Sequence, residues 1–427
     1  MISWVEQQVP NSRLYRARHI VPVSSAAIID GALVVEDSRI RAVGSAAEMA
    51  GLFPNAQAVD LGDSALLPAA VNAHTHLELT GLADAIPAGL SFSEWIVALV
   101  RLRRSLSHDD YVRAAQQGIA EMLAAGTAAV GEITTFGASV RPLAESGLRA
   151  VVYYELLGVD PADAPELLRR GQRLVSLWRS EYAGTQLRFG LSLHTPYTVS
   201  AELFRLAARW CAQEGIPLCI HAAESPAETA WLHEGSGEIA DVLYAAAGWP
   251  VDARRAPGCS PIAYLDQVGA LHARPLLVHG VHVDHDDLRL ITDSAAWVAH
   301  CPRSNARLGC GRLPYAAYRR AGVRLALGTD SRASAPSLSL WEEMAAAYAT
   351  HRAAGEAPDP HDLLRLATLG GAEALGFADE LGSLDAGKHA HLARASLAPL
   401  DERERADSRQ VLLALAQGRL TPEPVAA

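Results

Sequence analysis

Leu66-Leu67-Pro68-Ala69-Ala70-Val71-Asn72-Ala73-His74-Thr75-His76-Leu77-Glu78 is an apolar run that stops at a pair of histidines. It reads as a short buried strand. With only Thr75 between them, His74 and His76 point the same way on an extended backbone, because side chains repeat every second residue. Two imidazoles at the end of a strand are half of a metal site, since imidazole suits Zn, Fe, Ni and Cu. Taken alone, the pair reads better as two histidines of a polar loop. The positions of the other histidines decide.

Downstream of this run, apolar strands alternate with amphipathic helices. Strands are expected at Ala65–Asn72, Thr127–Ile133, Arg149–Leu157, Arg188–His194, Ile216–His221, Pro275–His279, Trp297–His300 and Arg324–Thr329. Helical periodicity marks Asp110–Ala125, Ala164–Trp178 and Ala201–Ala212, and later Leu338–Ala353 and Pro360–Leu375. Gly126, Gly147, Gly215 and Gly322 sit between a helix and the next strand, where a left-handed residue is expected. Eight strands alternating with helices point to a parallel barrel or a doubly wound sheet. Upstream, Ala26–Ile29, Ala32–Val35 and Ile40–Val43 read as short strands, with Asp30-Gly31 and Glu36-Asp37-Ser38 as turns. Residues 376–393 return to strand-like sequence and could rejoin them in one small domain. Residues 401–427 carry no clear signal, and the Pro/Ala tail is expected to fray.

The 427 residues suffice for one large domain and a small one. A net charge of −11 argues against nucleic-acid and anionic-membrane partners. No apolar run is long enough for a membrane span, and no basic-then-apolar leader is seen, so the cytoplasm is the default expectation. The five cysteines (Cys211, Cys219, Cys259, Cys301, Cys310) show no C-x-x-C spacing and read as free, mostly buried thiols. No G-x-G-x-x-G follows a strand, which excludes a Rossmann dehydrogenase.

Six histidines fall at strand ends. His74 and His76 close the first, His194 the fourth, His221 the fifth, His279 the sixth and His300 the seventh, and Asp330 follows the eighth. This is the C-terminal end, where barrel enzymes build their sites. Each histidine singly reads best as a core residue, but six such coincidences do not. Three neutral imidazoles and one carboxylate fill a zinc-type shell and leave a position for water, whose pKa drops to about 7 when it is bound. Glu224, three residues past His221, can reach into the mouth as a proton shuttle. A carboxylate favoured by a helix N-terminus is its compatible alternative. The other ten histidines carry no role, and His282 and His285 read as surface or supporting residues.

In this order the motifs resemble the amidohydrolase superfamily, in its metal-dependent deaminase and chlorohydrolase branch. They are Asn72-Ala73-His74-Thr75-His76-Leu77-Glu78, His194-Thr195-Pro196-Tyr197, His221-Ala222-Ala223-Glu224, Val278-His279-Gly280, His300-Cys301-Pro302-Arg303-Ser304-Asn305 and Gly328-Thr329-Asp330-Ser331. Ala367-Thr368-Leu369-Gly370-Gly371-Ala372 and Gly382 to Lys388 match the closing signature, although His391 stands where an aspartate is usual. The resemblance implies a (β/α)8 TIM-like barrel over 66–377, with a small β-sandwich-like domain built from 1–65 and 378–427. It implies that His74, His76, His221 and Asp330 bind one divalent metal, zinc or iron, and that His279 orients the attacking water. Asp330 and Glu224 would move protons. His194, Asn305 and Ser331 would lie beside the substrate, with His300 behind the site.

Lys388 is the only lysine in the chain. Binuclear members bridge two metals with a carboxylated lysine at the end of the fourth strand. His194 stands there instead, so a mononuclear site is expected. Hydrolytic deamination of an electron-poor ring follows, with Glu224 protonating a ring nitrogen. The run Ser91-Phe92-Ser93-Glu94-Trp95-Ile96 looks most like the branch that deaminates modified adenosines, with aminodeoxyfutalosine as the example. Trp95 reads equally as a cover for an aromatic substrate and as a buried helix residue. A mononuclear amide, carbamate or chloro-triazine hydrolase is the alternative, and a non-catalytic scaffold a more remote one. The expected partner is a small-molecule substrate, and the resemblance leaves room for a homo-oligomer.

Overall fold

A computed structural model describes residues 12–251 and 256–425. The first eleven residues of the expected small domain and the last two of the expected frayed tail lie outside the described residues.

The pivotal apolar run is two strands, not one. Ser64–Pro68 belongs to a sheet built from both ends of the chain, and Ala70–Thr75 opens the barrel. Pro68 has no N–H to continue a ladder. At the junction the Ala69 N–H donates to His391 O (2.9 Å) and the Ala70 N–H to Gly126 O (3.0 Å). The chain therefore changes sheets within one residue. Apolar burial on both sides of the change hides it in the sequence.

Eight parallel strands follow: Ala70–Thr75, Thr127–Thr134, Arg149–Leu156, Leu187–Leu193, Leu218–Ala222, Leu276–His279, Trp297–His300 and Arg324–Leu327. Each pairs with its neighbour in chain order. A doubly wound sheet would reverse that order; this one closes on itself. Thr75 bridges Asp330, and the N–H groups of Thr329 and Asp330 both donate to His74 O at 3.1 Å. Asn72 clips the same seam: its amide donates to Thr329 Oγ1 (2.7 Å) and its oxygen accepts from Thr329 N–H (3.1 Å). The barrel is thus sealed beside the histidine pair.

The helices between strands start and stop where the sequence places caps. Ser107 and Asp110 form a reciprocal capping box on His108–Ala124, and Ser200 caps Ala201–Glu214. Gly147, Gly215 and Gly322 end their helices in the left-handed region. Pro360–Ala374 is not one regular helix. It widens into a π-type turn over Leu366–Gly370, where Gly370 and Gly371 lie against the barrel strand backbone; a Cβ on Gly371 would meet Val71 O at 2.2 Å.

Among the described residues the terminal sheet has seven strands, Ser12–Ile20, Ile28–Glu36, Arg39–Ser45, Gln57–Asp60, Ser64–Pro68, Leu392–Ser396 and Glu423–Pro424. It buries Tyr15, Leu33, Ile40 and Leu66 on one face and Leu14, Val34 and Met49 on the other. Asp30-Gly31 is not the expected turn but lies inside Ile28–Glu36, where Gly31 lets Ile20 approach. Asp37 and Ser38, both at positive φ, make the hairpin turn. Residues 401–425 hold a helix, Ser408–Ala416, whose Val411, Ala414 and Leu415 join the main core. The five cysteines are free. No described helix is long and apolar enough to cross a membrane.

Candidate active site

Strand ends one, five, six and eight converge at the C-terminal mouth. His74 lies within the first strand, and His76 one residue past it, at the start of the turn Leu77–Leu82. Their rings meet edge to face with centroids 4.9 Å apart, as the alternation of an extended chain requires. His221 Nε2 is 3.3 Å from His76 Nε2, and ligand atoms of His74, His76 and His221 all lie within 4.8 Å of one another. Asp330 Oδ1 is 3.6 Å from His74 Nε2 and 3.7 Å from His76 Nε2.

These donors fit a metal ion. Among the described residues His74 Nε2 is buried without a hydrogen-bond partner, which is costly unless something else occupies its lone pair. Burial holds His74, His76, His221 and His279 below the ordinary histidine range, His76 at about 3, so the rings are the neutral form that ligates. Burial pushes the Asp330 carboxyl up, but the His74, His76 and His279 imidazoles outweigh it and hold it well below the carboxylate range. Its second oxygen accepts from Ser304 Oγ (2.6 Å) and Ser334 Oγ (3.0 Å). His221 Nδ1 is 3.0 Å from His194 O, which orients the ring from behind.

Glu224 is buried across from this cluster, with Oε1 3.4 Å from His279 Nε2. Burial, reinforced by the charge of Asp330, raises its carboxyl to about 8. Ala223, His279 and Asp330 all adopt positive φ. Such backbone costs about 1–3 kcal/mol per residue and persists only where the surroundings hold it. Here it turns each strand end sharply enough to aim a side chain into the mouth.

The other expected residues divide. His194, Trp95 and Ser331 line a cavity of about 160 Å³ beside the histidines, together with Phe92, Leu99, Tyr197 and Trp249. The helix Phe92–Arg103 roofs it. Asn305 instead stands behind His279, accepting at 2.8 Å from Nδ1. His300 is further back, 3.2 Å from His351 Nε2. His282 pairs with Cys310 O at 2.6 Å, and His285 is on the surface.

Four carboxylates that the histidine pattern does not reveal complete the site. Glu228 accepts from the N–H groups of Ala223 (3.0 Å) and Glu224 (2.8 Å), and so shapes the turn that carries Glu224. Glu132 accepts from Leu77 N–H at 2.9 Å, directly below the histidine pair. Glu78 accepts from the N–H groups of Thr135 (3.1 Å), Phe136 (3.2 Å) and Ala138 (2.8 Å), pinning the loop after the second strand. Glu155 lines the cavity at the end of the third strand. The rule that placed the histidines at strand ends applies equally to Glu155.

The profile of the amidohydrolase family matches residues 65–415, and that of a bacterial imidazolonepropionase-like composite domain matches residues 31–56. The chain is 36% identical over 354 residues to an aminodeoxyfutalosine deaminase of Deinococcus radiodurans, covering 81% of each protein. It is 30% identical over 383 residues to a 5-methylthioadenosine/S-adenosylhomocysteine deaminase of Moorella thermoacetica, covering 87% of this chain and 83% of the relative. Among solved structures, a zinc-bound adenosine deaminase from Xanthomonas campestris superimposes with a TM-score of 0.79 at 27% identity, over 96% of this chain and 90% of that one.

Proposed function

This chain belongs to the amidohydrolase family, and on that premise we propose that it is a metal-dependent hydrolase that removes the amino group from the purine ring of a nucleoside. Its relatives in sequence are deaminases of modified adenosines. Aminodeoxyfutalosine is the substrate we put first, on the 36% identity to the Deinococcus relative.

One observation carries the reading: a buried carboxyl, Glu224, faces three clustered imidazoles and Asp330 across the mouth, 3.4 Å from His279 Nε2. His74, His76, His221 and Asp330 would hold one divalent ion, zinc or iron. Bound there, the ion supplies a water that ionises near neutral pH. The chain's own residues do the rest. Asp330, held ionised by its histidine and serine neighbours, accepts the water proton. Glu224 holds a proton and gives it to a ring nitrogen, drawing charge out of the ring as the amino-bearing carbon becomes tetrahedral. The proton taken by Asp330 then goes to the amine, which leaves as ammonia, and the hydroxyl proton returns to Glu224 as the ring carbonyl forms. His279, fixed through Nδ1 by Asn305, orients the nucleophile. The apolar wall of Phe92, Trp95, Leu99 and Trp249 excludes water and receives the flat ring. A hydrolase for amides would not need an acid at a ring nitrogen.

The test is ammonia release from metal-replete protein on adenosine, methylthioadenosine, S-adenosylhomocysteine, aminodeoxyfutalosine, guanine, cytosine and a triazine, with metal measured on the same sample. Ammonia from a purine nucleoside with about one metal per chain is expected. A fully metallated protein silent on every nucleoside overturns the reading.

A further inference from the structure

The third barrel strand brings no histidine to the mouth. Its contribution is Glu155, which is 6% exposed and lines the cavity. One carboxylate oxygen, Oε2, accepts from the Thr135 hydroxyl at 2.9 Å. The other, Oε1, is buried without a hydrogen-bond partner among the described residues. Ligand atoms of Glu155, His194 and His221 lie within 4.8 Å of one another. No step of the deamination uses Glu155. A carboxylate is an acceptor only, and an unpaired buried one is expensive, so Oε1 calls for a donor.

Two kinds of partner could meet that need, a cation or a hydroxyl. A cation would have to share His221, whose Nδ1 is tied to His194 O and whose Nε2 turns toward His76. That leaves two protein ligands, too few for a built site. A hydroxyl fits the geometry better. Glu224 follows strand five and Glu155 ends strand three, two strand spacings along the barrel wall, roughly 10 Å. That separation is comparable with the span of a purine nucleoside. With the amino-bearing ring carbon beside Glu224, the sugar falls at strand three.

We propose that Glu155 is a specificity-determining residue that accepts the ribose hydroxyls of the substrate, so that the site takes ribonucleosides and turns away deoxynucleosides. The inference rests on the deaminase reading above. A substrate lacking the hydroxyls leaves Oε1 unpaired, and each lost bond to a charged acceptor lowers affinity by about 10- to 100-fold.

The experiment compares adenosine, 2′-deoxyadenosine and 2′,3′-dideoxyadenosine on the metal-replete enzyme, wild type and Glu155→Gln. Wild type should prefer adenosine over the dideoxy compound by about 100-fold in kcat/KM, mostly through KM. In Glu155→Gln the preference should shrink to a few-fold, with metal content unchanged. Calorimetric binding of inosine and 2′,3′-dideoxyinosine makes the same comparison without turnover. A protein that releases no ammonia, failing the deaminase reading, therefore still tests Glu155. The wild-type ratio needs no variant, so it stands even where Glu155→Gln does not fold. Equal affinity of wild type for both sugars overturns the proposal. So does an equal loss on both substrates in Glu155→Gln, the mark of a structural role, or a second bound metal equivalent that the variant lacks.

Discussion

Glu224 and Glu78 are both buried carboxyls in the same mouth, and their surroundings give them opposite work. Glu78 accepts three backbone N–H groups and the Thr134 hydroxyl, and no free lone pair is left for chemistry. Among the described residues Glu224 has only the weak Cys310 thiol at 3.8 Å and His279 beside it, and burial keeps its proton on. Replacing each tests the division. Glu224→Gln should lower turnover by about 10²–10⁴-fold, the usual contribution of a positioned acid, with metal content unchanged by elemental analysis. Turnover near wild type would remove Glu224 from the mechanism. Glu78→Ala should instead destabilise by about 3 kcal/mol or more, since three N–H donors lose their acceptor. Urea denaturation of the metal-loaded protein measures this, and an unchanged midpoint would count against the anchoring role.

Strand ends place these side chains, and their spacing depends on close backbone approach. Gly131 in the second barrel strand lies against the first; a Cβ there would meet Ala73 O at 2.2 Å, one residue before His74. Overpacking of this kind costs about 1–3 kcal/mol. Because the obstruction is backbone, the strand must move. Gly131→Ala should therefore weaken metal retention as well as stability, read as faster metal loss on dialysis against a chelator. Retention equal to wild type would mean that the first strand absorbs the shift elsewhere. Elements of this kind were partly legible. The strand-end histidines and Asp330 could be read because eight strands share one direction, so one positional rule covers all of them. Glu155 obeys the same rule and went unread, because a carboxylate inside Tyr153-Tyr154-Glu155-Leu156 lacks the rarity of histidine. The break at Ala69 was invisible because both sheets bury their strands. Asp30-Gly31 looked like a turn because the sequence does not show Ile20 packed over the glycine.

At the scale of the molecule, two junctions hold the structure together: the barrel seam beside the histidine cluster, and the contact between barrel floor and terminal sheet. The seam joins strands one and eight through Asn72, Thr75 and Asp330, and the same strands carry His74 and Asp330. Ligation should therefore stabilise the fold, by about 4 kcal/mol at a free metal concentration 1,000 times the Kd. Removing the metal should lower the melting temperature reversibly, and an unchanged value would separate the seam from the site. The second junction runs through His391, the residue that departs from the family's closing aspartate. Its Nε2 lies 3.0 Å from Arg149 Nη1, and Arg149 Nε donates at 3.0 Å to Glu380. A neutral ring accepts that bond; a protonated one opposes it. Burial first, then the charges of Arg149 and His389, depress the His391 pKa to about 4. A depressed folded-state value means that the stabilisation is complete above the ordinary value of 6.5 and is lost as the pH falls toward about 4. An aspartate would remain ionised beside Arg149 through that interval. His391→Asp should thus lose less melting temperature than wild type between pH 7 and pH 5, with equal metal loading in both. Parallel pH profiles for the two proteins would show that the junction does not depend on the charge of this ring.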